Sequence, residues 1–330
     1  MEFSELGRLA SGHVEARIIQ AALQLGIFDQ IGGSAATESR SLAASLHLEP
    51  RATEMLLNAL AALELLEKHD AFFSLAPVAA KYLKRSSPQY LGGMILFDAS
   101  LWNCWERLPD AVRSGKPARP ANMYQDDAKE TEIFIDAMNS LVKARGDADI
   151  VASAIDWKRV TDLLDIGSGP ATYPIQLCRK FLRLRATIFD LTGTLKITAR
   201  YVCEAGLENR IRLIGGDYRT DPIPGDYDII FLSNIIHGEG FENNRLLIRK
   251  LVSNLKPGGR MVVKDHILDE SHAHPPVGAI FSLLMLLTTE SGRCYSFNEI
   301  KSWMEPAGLS QVQQIDLPPP LTSSLVIGTK

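Results

Sequence analysis

At 330 residues, with 46% hydrophobic and 22% charged side chains, the chain can bury a core in two or three domains, which excludes a disordered or low-complexity protein. Its 35 Lys and Arg against 39 Asp and Glu give a formal charge of −4, so no global field points to nucleic acid or an anionic membrane. Cys104, Cys178, Cys203 and Cys294 show no C-x-x-C or zinc-like spacing, MEFSELGRLA lacks secretory character, and Val277 to Leu287 is too short to cross a bilayer, so a reduced cytoplasmic protein is expected.

From Ser11 to Ile31, Val14, Ile18, Ile19, Ala22, Leu23 and Leu25 recur at helical spacing, and Gly26 and the Gly32-Gly33 pair punctuate the end. Ser41 to Leu66 reads as two helices, LAASL and TEMLLNALAALELLE, joined at Leu48-Glu49-Pro50, with Thr53 or the turn before it as cap. KHDAFFSLAP then reads as a hairpin, completing a winged-helix pattern. Its second helix is apolar and acidic, with Arg51 and Asn58 as its main polar candidates. A recognition helix presents several basic or amide groups to DNA, so subunit packing fits better and a dimerisation domain is expected over residues 1–95.

Residues 96–156 read as a helical connector with a Pro-rich loop at Lys116 to Pro120, contributing to an acceptor pocket. From residue 157 to 330 short apolar runs (VTDLLDIG, ATIFD, RIRLIGG, YDIIFLSN, GRMVVKDHIL, SLVIGTK) alternate with helical segments. The fold class expected is α/β, a doubly wound, mainly parallel Rossmann-like sheet with the helical winged-helix domain before it.

LLDIGSGPATYPIQL sets Asp165, Gly167 and Gly169 where a buried strand turns into a helix near Thr172, the end of a strand that faces the ligand crevice. Glycine lets backbone approach a ligand, and the carboxylate suits the cationic amino group of an amino-acid-like moiety. Asp190 ends the next strand, 25 residues on, at a spacing that suits ribose hydroxyls. Asp217 in GGDY follows a third strand and suits an exocyclic adenine amine, with Leu191 and Tyr218 over the ring faces. Each acid alone could merely cap a turn, and GSGPAT lacks the third glycine of the dinucleotide fingerprint. Three acids on successive strand ends point to a nucleoside.

These residues, with AALQLGIFDQI, YDIIFLSNIIHGEG, LKPGGRMVVKDHIL and YSFNEIKSWMEPAGL, resemble the small-molecule O-methyltransferase family of caffeate and acetylserotonin type, over nearly the whole chain. The resemblance implies S-adenosylmethionine as methyl donor and S-adenosylhomocysteine as product. It implies that Asp165, Gly167 and Gly169 line the methionine side, that Asp190 holds the ribose, and that Asp217 and Tyr218 flank adenine. His237 matches the general base and Asp265 an acid that orients it. Departures are His237-Gly238 where the family reads His-Asp, Phe297 at a second acid's place with Glu299 close by, and Ser233 for a Lys on the cofactor side. The family's homodimers close one subunit's pocket with the other's N-terminal domain, which implies a role in trans for Phe3 to Arg17.

Methyl transfer is an in-line displacement in which the protein aligns and desolvates the reactants, without a metal. A neutral imidazole is suited to take the proton of a phenolic, quinol or enol acceptor. Phe134, Met138, Phe281, Met285 and Tyr295 are the candidates for lining the acceptor pocket, and DESHAHPPVG reads as a solvated loop rather than a metal site. C-methylation or a non-methylating reaction on the same fold remains an alternative, as does, from another class, a winged-helix DNA-binding regulator.

Overall fold

Apolar residues at helical spacing build the first of two units, Met1–Leu101 with Asp136–Ala144. The structure, a computed structural model, describes residues 2–32, 36–120 and 127–330, so Gly33 lies outside the described residues. This unit contains α1 (Phe3–Gln24), α2 (Ile27–Gln30), β1 (Thr37–Glu38), α3 (Ser39–Ser45), α4 (Pro50–Ala62), β2 (Leu66–His69), β3 (Phe72–Leu75), α5 (Pro77–Tyr82) and α6 (Gly92–Ser100). Leu23, Ile27, Phe28, Leu42, Leu57, Leu60 and Phe73 close its core. The antiparallel sheet runs β1-β3-β2, and its β2–β3 pair is the expected hairpin.

Two boundaries differ from the sequence reading. Helix α1 starts at Phe3, eight residues before Ser11, with the Glu5 carboxylate accepting from the Glu2 amide at 2.7 Å. Its apolar residues there, Phe3, Leu6 and Leu9, are exposed in the chain. The cap of α4 comes from the turn, one of the two sources expected: Glu49 accepts from the Arg51 and Ala52 amides, while the Thr53 hydroxyl donates to the Glu49 carbonyl. That helix stops at Ala62 because Glu64 takes a left-handed conformation (φ 57°), and Leu66 and Glu67 open β2 instead.

The second unit, Trp102–Ile135 with Arg145–Lys330, carries the α/β sheet, so residues 96–156 are shared between the two units. It contains α7 (Trp102–Glu106), α8 (Leu108–Ser114), half of α9 (Ala128–Arg145), α10 (Asp147–Ala154), β4 (Asp162–Ile166), α11 (Thr172–Lys180), β5 (Arg185–Asp190), α12 (Thr192–Glu204), β6 (Ile211–Gly215) and β7 (Tyr227–Ser233). Then come α13 (Phe241–Val252), β8 (Leu255–Asp265), β9 (Ile267–Leu268), α14 (Pro276–Thr288), β10 (Tyr295–Ser296), α15 (Phe297–Met304), β11 (Ser310–Asp316) and β12 (Ser324–Thr329). The seven-stranded sheet has the order β11-β12-β8-β7-β4-β5-β6. Strands β4 to β8 pair in parallel, and only β12 and β11 run antiparallel to their neighbours. Buried aliphatic side chains on both faces explain why β4, β7 and β8 read as continuous apolar runs.

Chain order reverses between β4 and β7, and there the crevice beyond the carboxyl ends of the strands opens. Edge strand β11, SQVQQID, is mostly exposed, and its polar sequence gave no strand signal. No helix of the described residues is long and apolar enough to cross a membrane.

Candidate active site

Five neighbouring strands deliver polar side chains to one edge of the sheet. Asp165 lies near the end of β4, Asp190 ends β5, Asp217 follows β6, Ser233 ends β7 and Asp265 ends β8. Parallel pairing puts these carboxyl ends together, with Ile166 beside both Phe189 and Leu232.

Asp165 is 1% exposed. Its Oδ2 accepts from the Ser168 hydroxyl at 2.6 Å, and its Oδ1 is buried without a hydrogen-bond partner. Burial, opposed by Ser168 and assisted by the charge of Asp190, pushes its pKa up to about 7. The turn beyond it uses left-handed backbone at Gly167 (φ 62°), Gly169 (φ 57°) and Ala171 (φ 59°), which brings main chain, not side chains, to the crevice. Asp190 braces that turn: its Oδ2 accepts from the Gly169 amide at 2.9 Å and its Oδ1 from the Leu191 amide at 2.7 Å. Burial outweighs these two bonds and raises Asp190 to about 6. Each of its oxygens keeps a lone pair for a further donor.

Asp217 is half-buried, and its Oδ1 accepts from the Arg219 amide at 2.8 Å. The Tyr218 ring packs against the core and its hydroxyl donates to Glu239 Oε1 at 2.7 Å. Ser233 Oγ is buried beside the Tyr173 phenol. Leu191 is half-buried at the start of α12.

His237 lies on a short 3₁₀ turn, Ile236–Gly238, beyond β7. Its Nδ1 is 2.8 Å and 3.0 Å from the two Asp265 oxygens, and its amide donates to Asp265 Oδ2 at 3.3 Å. Burial works to raise Asp265, but the charge and hydrogen bond of His237 and the neighbouring His266 hold it below the usual carboxylate range. An ionised Asp265 only accepts, so His237 Nδ1 is the donor in this contact. Asn244 fixes the turn by donating to the Ile236 carbonyl at 2.9 Å. The Phe281 ring stands edge-on to His237, with centroids 4.9 Å apart, and also packs at 5.0 Å from His266. Burial lowers the pKa of His266, whose Nδ1 meets the Thr322 carbonyl at 2.9 Å.

Glu299 belongs to the cap of α15, accepting from the Ser296 amide and pairing with Arg293 at 2.5 Å. Phe297 is half-buried against the core. The segment brings Cys294 toward Asp265; burial first, then that negative charge, pushes the thiol up to about 12. Tyr295 is core: it packs on Trp303 and its hydroxyl donates to the Glu239 carbonyl at 2.5 Å. Met285 is buried in α14, while Phe134 and Met138 are half-buried on α9, the first in the second unit and the second in the first. Among the described residues no three His, Cys, Asp or Glu side chains are grouped to hold a metal.

Two polar clusters near these strands escape a motif search. Asp147, fully buried, pairs with Arg145 at 2.9 Å, accepts from the Tyr173 hydroxyl at 3.1 Å and lies 3.4 Å from Lys264 Nζ. Burial lowers the pKa of Lys264 against the opposing charge of Asp147. A lysine inside the apolar run VVKDHIL was the signal available. The second cluster centres on Glu239, which lies between the Ile236–Gly238 turn and α13.

Comparison with known proteins agrees with this architecture. Residues 105–310 match the family model of the O-methyltransferase domain, and residues 8–85 that of the O-methyltransferase dimerisation domain. The chain is 29% identical to the 3-hydroxy-5-methyl-1-naphthoate 3-O-methyltransferase of Streptomyces sahachiroi, over 98% of this chain and 94% of that one. It is 30% identical to the tetracenomycin polyketide synthesis 8-O-methyl transferase of Streptomyces glaucescens, over 96% and 93%. Human N-acetylserotonin methyltransferase has the same fold, with a TM-score of 0.90 at 23% identity over 99% of this chain and 97% of that one. Sheet order, strand-end acids and two matched domains agree, and the chain belongs to the S-adenosylmethionine-dependent O-methyltransferase family.

Proposed function

We propose that the protein methylates a hydroxyl oxygen of a small phenolic, quinol or enol acceptor, with His237 as general base and Asp265 holding that base in its working tautomer. The observation that carries this reading is the His237 Nδ1 to Asp265 contact of 2.8 Å, which leaves Nε2 as the acceptor.

S-adenosylmethionine supplies a methyl carbon already activated by its sulfonium charge, so no metal is needed for the displacement. The cofactor side fits this donor. The orphaned, buried Oδ1 of Asp165 matches the ammonium group, Gly167 and Gly169 present left-handed main chain beside it, and Asp190 has lone pairs for ribose hydroxyls. Asp217 and Leu191 are assigned to the adenine, and Ser233 to the methionine side. Tyr218 is assigned to flank the adenine as well, its hydroxyl held by Glu239.

On this reading Asp165 and Asp190 bind and orient the donor, Phe281 fixes the imidazole plane, and His237 Nε2 takes the acceptor proton as the oxygen–methyl bond forms and the sulfur–methyl bond breaks, leaving S-adenosylhomocysteine. A base of this kind contributes roughly 10²- to 10⁴-fold. Nearby apolar side chains exclude the water that would otherwise solvate the acceptor oxygen. The working form is assigned as a cytoplasmic homodimer through the N-terminal unit, and the match to a dimerisation domain supports this.

His237→Ala tests the assignment. S-adenosylhomocysteine binding measured by calorimetry stays within about twofold of wild type while turnover falls at least ~100-fold. Turnover at the wild-type rate would remove His237 from the reaction.

A further inference from the structure

Glu239 carries a carboxyl group yet is only 3% exposed, in a stretch of loop flanked by Gly238 and Gly240. A buried carboxylate at such a place demands partners, and it has them from two directions. Its Oε1 accepts from the Tyr218 hydroxyl and from Arg219 Nε, both at 2.7 Å, and its Oε2 accepts from Asn243 at 3.1 Å. Tyr218 and Arg219 follow Asp217 in the loop after β6, and Lys250 Nζ anchors the same loop through the Tyr218 carbonyl at 2.9 Å.

The backbone of Glu239 is held as firmly. Its amide closes the turn onto the Ile236 carbonyl at 3.2 Å, and its own carbonyl accepts from the Tyr295 hydroxyl and from Asn244. One residue thus joins the loop assigned to adenine with the turn that aims His237. Charge-assisted bonds are the strong kind, so the Glu239 carboxylate ties the loop to the turn.

We propose that Glu239 is a positioning residue that couples occupancy of the donor site to the orientation of His237, through its carboxylate on Tyr218 and Arg219. The inference rests on the assignment of Asp217 to the donor and of His237 to the base. Binding that orders the loop after β6 then also orders the turn, and by reciprocity a turn held in place favours binding.

The test is a cycle of Glu239→Gln, Arg219→Met and the double variant, with S-adenosylhomocysteine affinity by calorimetry, melting temperature, and kcat and donor KM measured together. Glu239→Gln is expected to weaken binding about tenfold and to lower kcat as KM rises, within the range of ordinary site coupling. Arg219 is half-exposed, so its variant folds with a near-normal melting temperature and still shows the weaker binding. The double variant binds no more weakly than Glu239→Gln alone. Unchanged binding and KM in both single variants, or a kcat loss with KM unchanged, would overturn the proposal. Wild-type protein that fails to bind S-adenosylhomocysteine would instead remove the donor assignment on which it stands.

Discussion

Asp265 and His237 form a pair in which a carboxylate 1% exposed meets Nδ1 of a largely buried imidazole at 2.8 Å. Because Asp265 is held ionised by that ring and by His266, it accepts only, and the pair has one favoured tautomer.

Asp265→Asn removes this constraint while keeping the shape. The amide nitrogen can face Nδ1 and reverse the tautomer, so turnover is expected to fall about 10²-fold with S-adenosylhomocysteine binding retained. Single-turnover kinetics at saturating donor checks this; an unaltered rate would make the pair structural.

Gly292 is a second, purely steric control on the base. A Cβ there would lie 2.2 Å from the His237 carbonyl oxygen and 3.0 Å from the Gly238 carbonyl carbon. Gly292→Ala must push the turn, at a cost of about 1–3 kcal/mol. Turnover falls and donor binding changes less, as measured by initial rates and calorimetry side by side.

The strand ends of this site were legible because each acid terminates an apolar run, and a strand followed by glycine turns leaves little choice of geometry. Asp165, Asp190, Asp217 and Asp265 are therefore found where the sequence suggested, at neighbouring strand ends. What was not legible depends on distant pairing. Glu299 looks like a spare acid until Ser296 is seen three residues earlier, which makes a capping box. Tyr295 sits at helical and strand spacing alike, and only packing on Trp303 shows it to be core. Glu239 carries no motif because its partners Tyr218 and Arg219 are 21 and 20 residues away. Strand β11 was missed for the opposite reason: an exposed edge needs no apolar alternation.

Buried acids give the donor site a pH signature. Asp165 is raised from 3.8 to about 7 and Asp190 from 3.8 to about 6, chiefly by burial, so the fold penalises their ionised forms. That cost is absent below the unfolded value, grows as pH rises, and is complete above about 7. Their joint contribution therefore makes the ligand-free protein less stable from pH 4 toward 7. A cationic ammonium on Asp165 favours ionisation and reverses this. At pH 6, S-adenosylhomocysteine binding should release about one proton, read from calorimetry in buffers of different ionisation heat. Zero release would contradict the assignment.

Asp165→Asn follows from the same physics. Without the buried charge the ligand-free protein melts at the same or a higher temperature at pH 8, while S-adenosylhomocysteine binding weakens at least ~10-fold, the trade expected where a site stores strain for a ligand. Thermal melts with and without ligand separate the two effects.

The most direct test is a crystal structure with S-adenosylhomocysteine bound. The amino group should lie within hydrogen-bond reach of Asp165 Oδ1, the ribose hydroxyls at Asp190, and the sulfur should face a space bounded on its far side by His237 Nε2. A ligand seated away from Asp165 and Asp190, or an imidazole whose Nε2 turns away from the sulfur, would contradict the reading of this sheet edge as the methyl-transfer site.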